Sequence, residues 1–167
     1  MSRSLHELNP DAHERALVVL DTAAAIDLDL LFYCTYRSPE EQAKLFRRGR
    51  TLAEIKAKSH ELLTVFGRPD LATLLMEVGP QHGARVTNAG PGQSIHNYRG
   101  ALDGVPLRDG QPVWSISADE DKDLWDAYGQ IVQEAGFEWG GTWKFKDYPH
   151  IQLPDMNWRD LIKEGVL

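Results

Sequence analysis

The chain has 167 residues, room for one domain and little more, and its 42% hydrophobic and 26% charged residues are the balance of an ordinary globular protein rather than a disordered one. With 18 basic against 25 acidic residues the formal net charge is −7, which argues against a nucleic-acid partner, because phosphate binding needs a clustered basic surface. No segment approaches the roughly 20 consecutive apolar residues of a membrane span, so no stable membrane insertion is expected.

Met1-Ser2-Arg3-Ser4-Leu5-His6-Glu7 lacks the unbroken apolar stretch of a secretory signal. The expectation is synthesis in a cytoplasm, with any outside substrate reached only after something else lets the protein through. Asn9-Pro10-Asp11 predicts a helix start: an N-cap side chain, proline at the first helical position, and an acid near the positive end of the dipole. That helix runs to about Ala25 and buries Ala12, Ala16, Val19, Leu20 and Ala23. Leu30 to Tyr36 is a strand candidate, and its single cysteine, Cys34, reads as a buried inert thiol. Ser38-Pro39-Glu40-Glu41 is a capping box that opens a helix ending near Gly49, which fixes Arg37 between a strand end and a helix start. The cluster Arg47-Arg48-Gly49-Arg50 reads as a solvated helix end.

Between 51 and 85, Leu52, Ile55, Leu62, Leu63, Val65 and Phe66 mark one helix, and Leu71, Leu74, Leu75 and Met76 a second. A Gly/Pro/Asn-rich loop then leads into Ser94-Ile95-His96. Ala101 to Leu107 is a strand, with Val113 to Ile116 as its hairpin partner across Arg108-Asp109-Gly110. Ser117-Ala118-Asp119-Glu120 reads as a second capping box, before a helix that carries Leu124, Ala127, Tyr128 and Ile131 and stops at Gly136. Phe137-Glu138-Trp139 and His150 to Leu153 are the last strands, and a short helix spans about Trp158 to Glu164. Helices and short strands in mixed order with tight turns predict a small antiparallel-rich α+β fold, one domain over 1–167.

His96 and Asp103 lie seven residues apart, on a loop and the strand after it, and His150 offers a third ligand from a separate strand. Catalytic zinc takes three such protein ligands and leaves a position for water. Asp147, three residues before His150, stands where a base for that water would sit. Spacing alone leaves this open. A His-x6-Asp pair also serves as a structural hydrogen bond, and His6, His13, His60 and His82 could be offered as ligands just as well.

Ser94-Ile95-His96-Asn97-Tyr98-Arg99-Gly100-Ala101-Leu102-Asp103 resembles the Ser-x-His-x-x-Gly-x-Ala-x-Asp signature of the VanY-like peptidases. That family includes the L-alanyl-D-glutamate endopeptidases that bacteriophages use as endolysins. Asp147-Tyr148-Pro149-His150 resembles its second block, Tyr36-Arg37-Ser38-Pro39-Glu40-Glu41-Gln42 its opening block, and Glu138-Trp139-Gly140-Gly141 its Trp-Gly-Gly turn. The resemblance implies a hedgehog/D-Ala-D-Ala-peptidase-like α+β fold, a small antiparallel sheet with packed helices. It also implies zinc (Zn2+) on His96, Asp103 and His150, with Asp147 as general base. The stretch 51–85 is longer than the family leads one to expect and reads as a helical insertion, either a lid or a contact with wall or membrane. Arg99 stands where the family has glycine, so a special backbone angle there would pass to Gly100.

Around these ligands, Arg37 either stabilises charge on the scissile carbonyl or pairs with Glu40 or Glu41. Gln42 is expected to face the same cleft. Ser94 bonds a ligand or substrate, or only forms a turn, and Trp139 and Trp143 line the substrate groove or fill the core. The resulting expectation is a monomeric zinc endopeptidase that cuts the L-alanyl-D-glutamate bond of peptidoglycan. It fits a phage lysis enzyme waiting in the host cytoplasm. A D-alanyl-D-alanine carboxypeptidase on the same scaffold is the nearest rival, and a non-catalytic zinc-stabilised wall-binding module is the rival of another class.

Overall fold

The computed structural model describes residues 1–167. Its elements in chain order are α1 (Pro10–Ala25), β1 (Leu30–Cys34), α2 (Pro39–Arg47), α3 (Leu52–Thr64), α4 (Pro69–Glu77), β2 (Ala101–Arg108), β3 (Gln111–Pro112), α5 (Asp119–Glu134), β4 (Glu138–Trp139), β5 (His150–Gln152) and α6 (Trp158–Glu164). A short 3-10 turn, Ile95–Tyr98, precedes β2. The fold is α+β, as expected, and the chain forms two compact units.

One unit comprises Ser2–Tyr36 and Arg99–Met156. Its sheet is antiparallel throughout, in the order β1-β2-β5-β4, with β3 paired to β2. Helices α1 and α5 bury apolar stripes with this sheet in one core: Ala12, Ala16 and Val19 from α1, Trp125, Tyr128 and Val132 from α5, Leu102, Val105 and Ile151 from the strands. Asn9 caps α1 through its side chain, which accepts from the Ala12 amide at 2.8 Å. Helix α5 departs from expectation. Its N-cap is Ala118 and has no side-chain cap, so Ser117 and Glu120 form no capping box, and Asp119, Glu120 and Asp121 face the dipole's positive end instead.

The hairpin after β2 also differs from the sequence reading. Asp109 and Gly110 both hold positive φ, 52° and 72°, and these angles make a tight two-residue turn. The turn pairs Arg108 with Gln111 and Leu107 with Pro112, so the partner strand comes earlier than Val113 to Ile116. Cys34 is fully buried and free, as expected.

The other unit comprises Met1, Arg37–Tyr98 and Asn157–Leu167. Its core joins Ala43 and Phe46 of α2, Ile55 and Leu62 of α3, Leu71, Ala72 and Leu75 of α4, and Ile162 of α6. The 51–85 helices therefore pack on α2 and α6. Leu63 of the expected apolar stripe instead lies 49% exposed. Arg47 is buried and donates to the carbonyls of Leu75 (2.8 Å) and Met76 (3.1 Å), which would otherwise be orphaned at the end of α4.

The positive φ expected at Gly100 falls on Arg99 itself, at 62°. An L-residue in this region carries a cost of roughly 1–2 kcal/mol. The Arg99 side chain offsets it: Nη1 donates to the Glu7 carbonyl at 2.8 Å, and the guanidinium lies 4.2 Å from the Tyr36 ring centroid. Arg99→Ala keeps the strain and removes both contacts, so it should lower stability by about 1–2 kcal/mol. Arg99→Gly relieves the strain and should recover about 1 kcal/mol of that loss. Urea unfolding of the two variants checks this, and equal midpoints would show that the angle carries no cost.

Candidate metal centre

Strand β5 has only three residues, yet it pairs on both sides. Its His150 lies directly opposite Asp103 of β2, and its Gln152 opposite Glu138 of β4. Because side chains alternate along a strand, His150 and Gln152 share one face. His150 Nδ1 sits 3.2 Å from Asp103 Oδ1, and both side chains are nearly buried.

This pairing is held from behind. The Pro149 carbonyl accepts from the Gly104 amide at 2.9 Å and from the Tyr128 hydroxyl at 3.0 Å. Burial, with the charges of Asp103, Tyr33 and Asp147 adding to it, pushes the Tyr128 phenol well above its ordinary range, so it stays protonated and donates. Gly104 has no room for a side chain: a Cβ there would come within 2.7 Å of the Tyr128 oxygen.

Asp147 is exposed on the loop that leads into β5. Its amide donates to Gly140 (3.0 Å) and its carbonyl accepts from His150 (3.1 Å), so the backbone is tied on both sides. A Cβ at Gly140 would stand 2.4 Å from the Asp147 carbonyl oxygen, and one at Gly141 2.3 Å from the Trp139 ring. The Trp-Gly-Gly turn is thus a close-approach device that lets this loop close.

The four residues offered for substrate binding fall out differently. Trp139 is core, 8% exposed, edge-on to Tyr128, with its indole N–H donated to the Tyr148 carbonyl at 2.8 Å; it does not line a groove. Trp143 is half-buried, with its ring 5.2 Å from that of His150. Gln42 is fully buried and spent on the protein: it accepts from Arg37 Nη1 at 3.0 Å and donates to the Ala89 carbonyl at 2.7 Å, so it holds Arg37 rather than a substrate. Ser94 is half-buried, and its carbonyl accepts from the Asn97 amide at 3.0 Å.

His96 is buried, 1% exposed, on the turn Ile95–Tyr98 of the helical unit. Its carbonyl accepts from the Arg37 amide at 3.3 Å, while Asn97 Nδ2 donates to the Arg37 carbonyl at 2.8 Å. Asn97 also accepts from Gly92 at 2.9 Å, and so ties the glycine-rich loop, the His96 turn and the Arg37 backbone together. The sequence reading passed over Asn97, although it stands beside His96. It also missed Gln152, whose place two residues after His150 puts it on the same strand face.

The Asp103–His150 pair suits a metal ion. Zinc takes imidazole nitrogen and carboxylate oxygen at about 2.0–2.2 Å, so two tetrahedral ligand atoms lie about 3.3 Å apart. The observed 3.2 Å matches that separation.

A peptidase family described as D-alanyl-D-alanine carboxypeptidase matches residues 87–153. Peptidoglycan L-alanyl-D-glutamate endopeptidase CwlK of Bacillus subtilis is 30% identical over 152 residues, covering 88% of this chain and 74% of that protein. The chain belongs to the VanY-like peptidase family. Among solved structures, a variant of the vancomycin-resistance D,D-pentapeptidase VanY in complex with Zn(II) has the same fold, at 12% identity and a TM-score of 0.51, over 94% of this chain and 78% of that one. The L-Ala D-Glu endopeptidase ChiX of Serratia marcescens aligns at 20% identity with a TM-score of 0.49, over 96% of this chain and 91% of that one. Both histidine blocks of this VanY-like chain and its Trp-Gly-Gly turn lie inside the matched 87–153, whereas Arg37 and Gln42 lie outside it.

Tyr128→Phe removes one of the two donors on Pro149 and leaves the Gly104 contact. The variant should fold and lose about 1–2 kcal/mol of stability, with faster amide exchange at Gly104 and His150. Unchanged stability and exchange would mean that the hydroxyl has no part in holding β2 to β5.

Proposed function

We propose that the chain is a zinc-dependent peptidoglycan endopeptidase that hydrolyses the bond between L-alanine and D-glutamate in the stem peptide. One observation carries the reading: a VanY-like chain in which Asp103 and His150 stand 3.2 Å apart, next to a tied loop that presents Asp147 to solvent. The relationship to CwlK supports the substrate and the bond.

In this reading His96, Asp103 and His150 would hold zinc. When bound, zinc polarises a carbonyl and makes a water molecule more acidic. Asp147 accepts the proton of the attacking water as its oxygen bonds to the alanyl carbonyl carbon. Arg37, oriented by Gln42, is assigned the negative charge that grows on the carbonyl oxygen. Asp147 then returns its proton to the glutamate nitrogen as the C–N bond breaks, leaving a carboxylate on alanine and a new amino group on glutamate. Trp143, beside His150, is the remaining candidate for substrate contact. The chain works as a monomer and a single peptidase domain to which 51–85 is an addition. The four sequence blocks shared with phage endolysins support a lysis role, with the enzyme made in the host cytoplasm and acting on the wall after release.

A second reading, a D-alanyl-D-alanine carboxypeptidase, is favoured by the description of the family matched over 87–153. Mass spectrometry of digested peptidoglycan separates the two. A new amino group on D-glutamate supports the endopeptidase, and loss of a terminal D-alanine with the stem otherwise intact supports the carboxypeptidase.

The purified chain should carry about one zinc, and a chelator should abolish hydrolysis. His96→Ala or His150→Ala should lose the metal, and full zinc content in either by elemental analysis would overturn the ligand set. Asp147→Asn should keep zinc and lose about 10²–10⁴-fold of the rate, since an amide cannot accept the proton. A variant within a few fold of wild type would place the base elsewhere.

A further inference from the structure

A row of polar side chains continues past His150, across the sheet and away from Asp103. Gln152 Oε1 lies 3.1 Å from His150 Nε2. Gln152 Nε2 donates to Glu138 Oε2 at 3.0 Å, and the second oxygen of that carboxylate accepts the Trp143 indole N–H at 2.6 Å. The backbone register produces the row, since Glu138 and Gln152 are cross-strand partners and so are His150 and Asp103.

Each link constrains the next. A carboxylate only accepts, so Glu138 can face the –NH2 end of the Gln152 amide and not its oxygen. The amide oxygen must then face His150. A ring nitrogen facing an acceptor carries hydrogen, so the Gln152 oxygen commits Nε2 as a donor. Nδ1 faces Asp103 Oδ1 at 3.2 Å, also an acceptor, and is the one ring nitrogen left to share either a proton or a metal ion with that carboxylate. With Nε2 committed to Gln152, a metal ion can replace only the proton on the Asp103 side of the ring. Trp143, held by the same carboxylate, packs its ring near the imidazole and limits its rotation.

We propose that Glu138 and Gln152 are positioning residues that fix His150 as the Nε2–H tautomer and so make Nδ1 its metal-binding atom. Glu138 acts through Gln152, and both of its oxygens are engaged, so it is a support for the site and not an alternative general base. The inference rests on the reading of His150 as a ligand, but its primary observable, the position of a ring proton, can be measured whether or not zinc is present.

The test uses the full chain with 15N-labelled histidine, as purified and again after chelation, and reads the His150 ring in long-range 1H–15N correlation spectra. Wild type should show the ring proton on Nε2 in both states. Glu138→Gln lets the Gln152 amide turn over, so the Nδ1–H form should appear after chelation, and zinc affinity in a chelator competition should fall about 10–100-fold. Glu138→Gln combined with Gln152→Glu exchanges the two chemistries: the new carboxylate accepts from both His150 and the new amide, whose oxygen still takes the Trp143 N–H. This double variant should restore the Nε2–H form and bring zinc affinity back to within a few fold of wild type.

A ring without a proton on Nε2 in wild type overturns the proposal without any variant having to fold. A folded Glu138→Gln with unchanged tautomer and affinity overturns it too, as does a folded double variant that stays as weak as the single one. If wild type holds no zinc but keeps the Nε2–H form, which Glu138→Gln then shifts, the metalloenzyme reading fails and the positioning role stands.

Discussion

The pairing of β2 with β5 is the constraint on which the strand half of the site depends. Antiparallel register puts residues in opposed pairs, and here the pair is Asp103 and His150. With three residues in β5, a slip of one position would turn His150 to the opposite face and remove the pair. The register is held by more than the ladder. The carbonyl of Pro149, the residue just before the strand, accepts from both the Gly104 amide and the buried Tyr128 hydroxyl. A core helix thereby reaches the sheet at the level of the Asp103–His150 pair.

Glycine supplies the second constraint, and it does so by absence of bulk. Trp139 lies against Gly129 of α5 and against Gly141, and a Cβ at Gly129 would come within 2.1 Å of the indole. Gly140 lets the Asp147 carbonyl approach where any side chain would collide. An exposed carboxylate on a loop is ordinarily mobile. Here both flanking hydrogen bonds of Asp147 depend on that approach, and the loop is held further by Lys146 Nζ on the Gly141 carbonyl at 2.6 Å. Trp139 fills the space beside Gly129 and Gly141 and donates to the Tyr148 carbonyl, so it belongs to the core and braces the residue next to Asp147.

The helical unit solves a different problem, the placing of long polar side chains inside a small core. Gln42 and Arg47 are both buried on α2, and each is directed by backbone carbonyls: Ala89 for Gln42, Leu75 and Met76 for Arg47. Arg47 closes the end of α4, so the 51–85 helices are secured by a hydrogen-bonded cation as well as by the apolar contacts of Leu62, Leu71 and Leu75. Gln42 passes its constraint to Arg37, whose backbone is already tied to His96 and Asn97.

Local signals carried much of this in the sequence. The capping box at Ser38 and the N-cap at Asn9 act within one helical turn, and α1 runs over the residues that its caps and apolar spacing mark, while α2 begins at the capping box. The α+β class follows from the alternation of such elements, and the family from four ordered blocks. The readings that failed turned on local backbone angles that residue type leaves open or on a neighbour distant in the chain. Ser117 resembles a cap, but the backbone at Ala118 takes that place. The partner strand of β2 is set by the two positive φ angles at Asp109 and Gly110, and Arg99 takes the left-handed angle because Glu7 and Tyr36 are there to hold its side chain. Whether Trp139 faces solvent, whether Gln42 holds a substrate or an arginine, and which nitrogen of His150 meets Asp103 are all questions of cross-strand and cross-helix contact. Residue types and spacing determined the elements and the candidate ligands. Only tertiary packing decided which atoms of those candidates face one another, because that depends on partners brought together by the register of β2, β5 and β4.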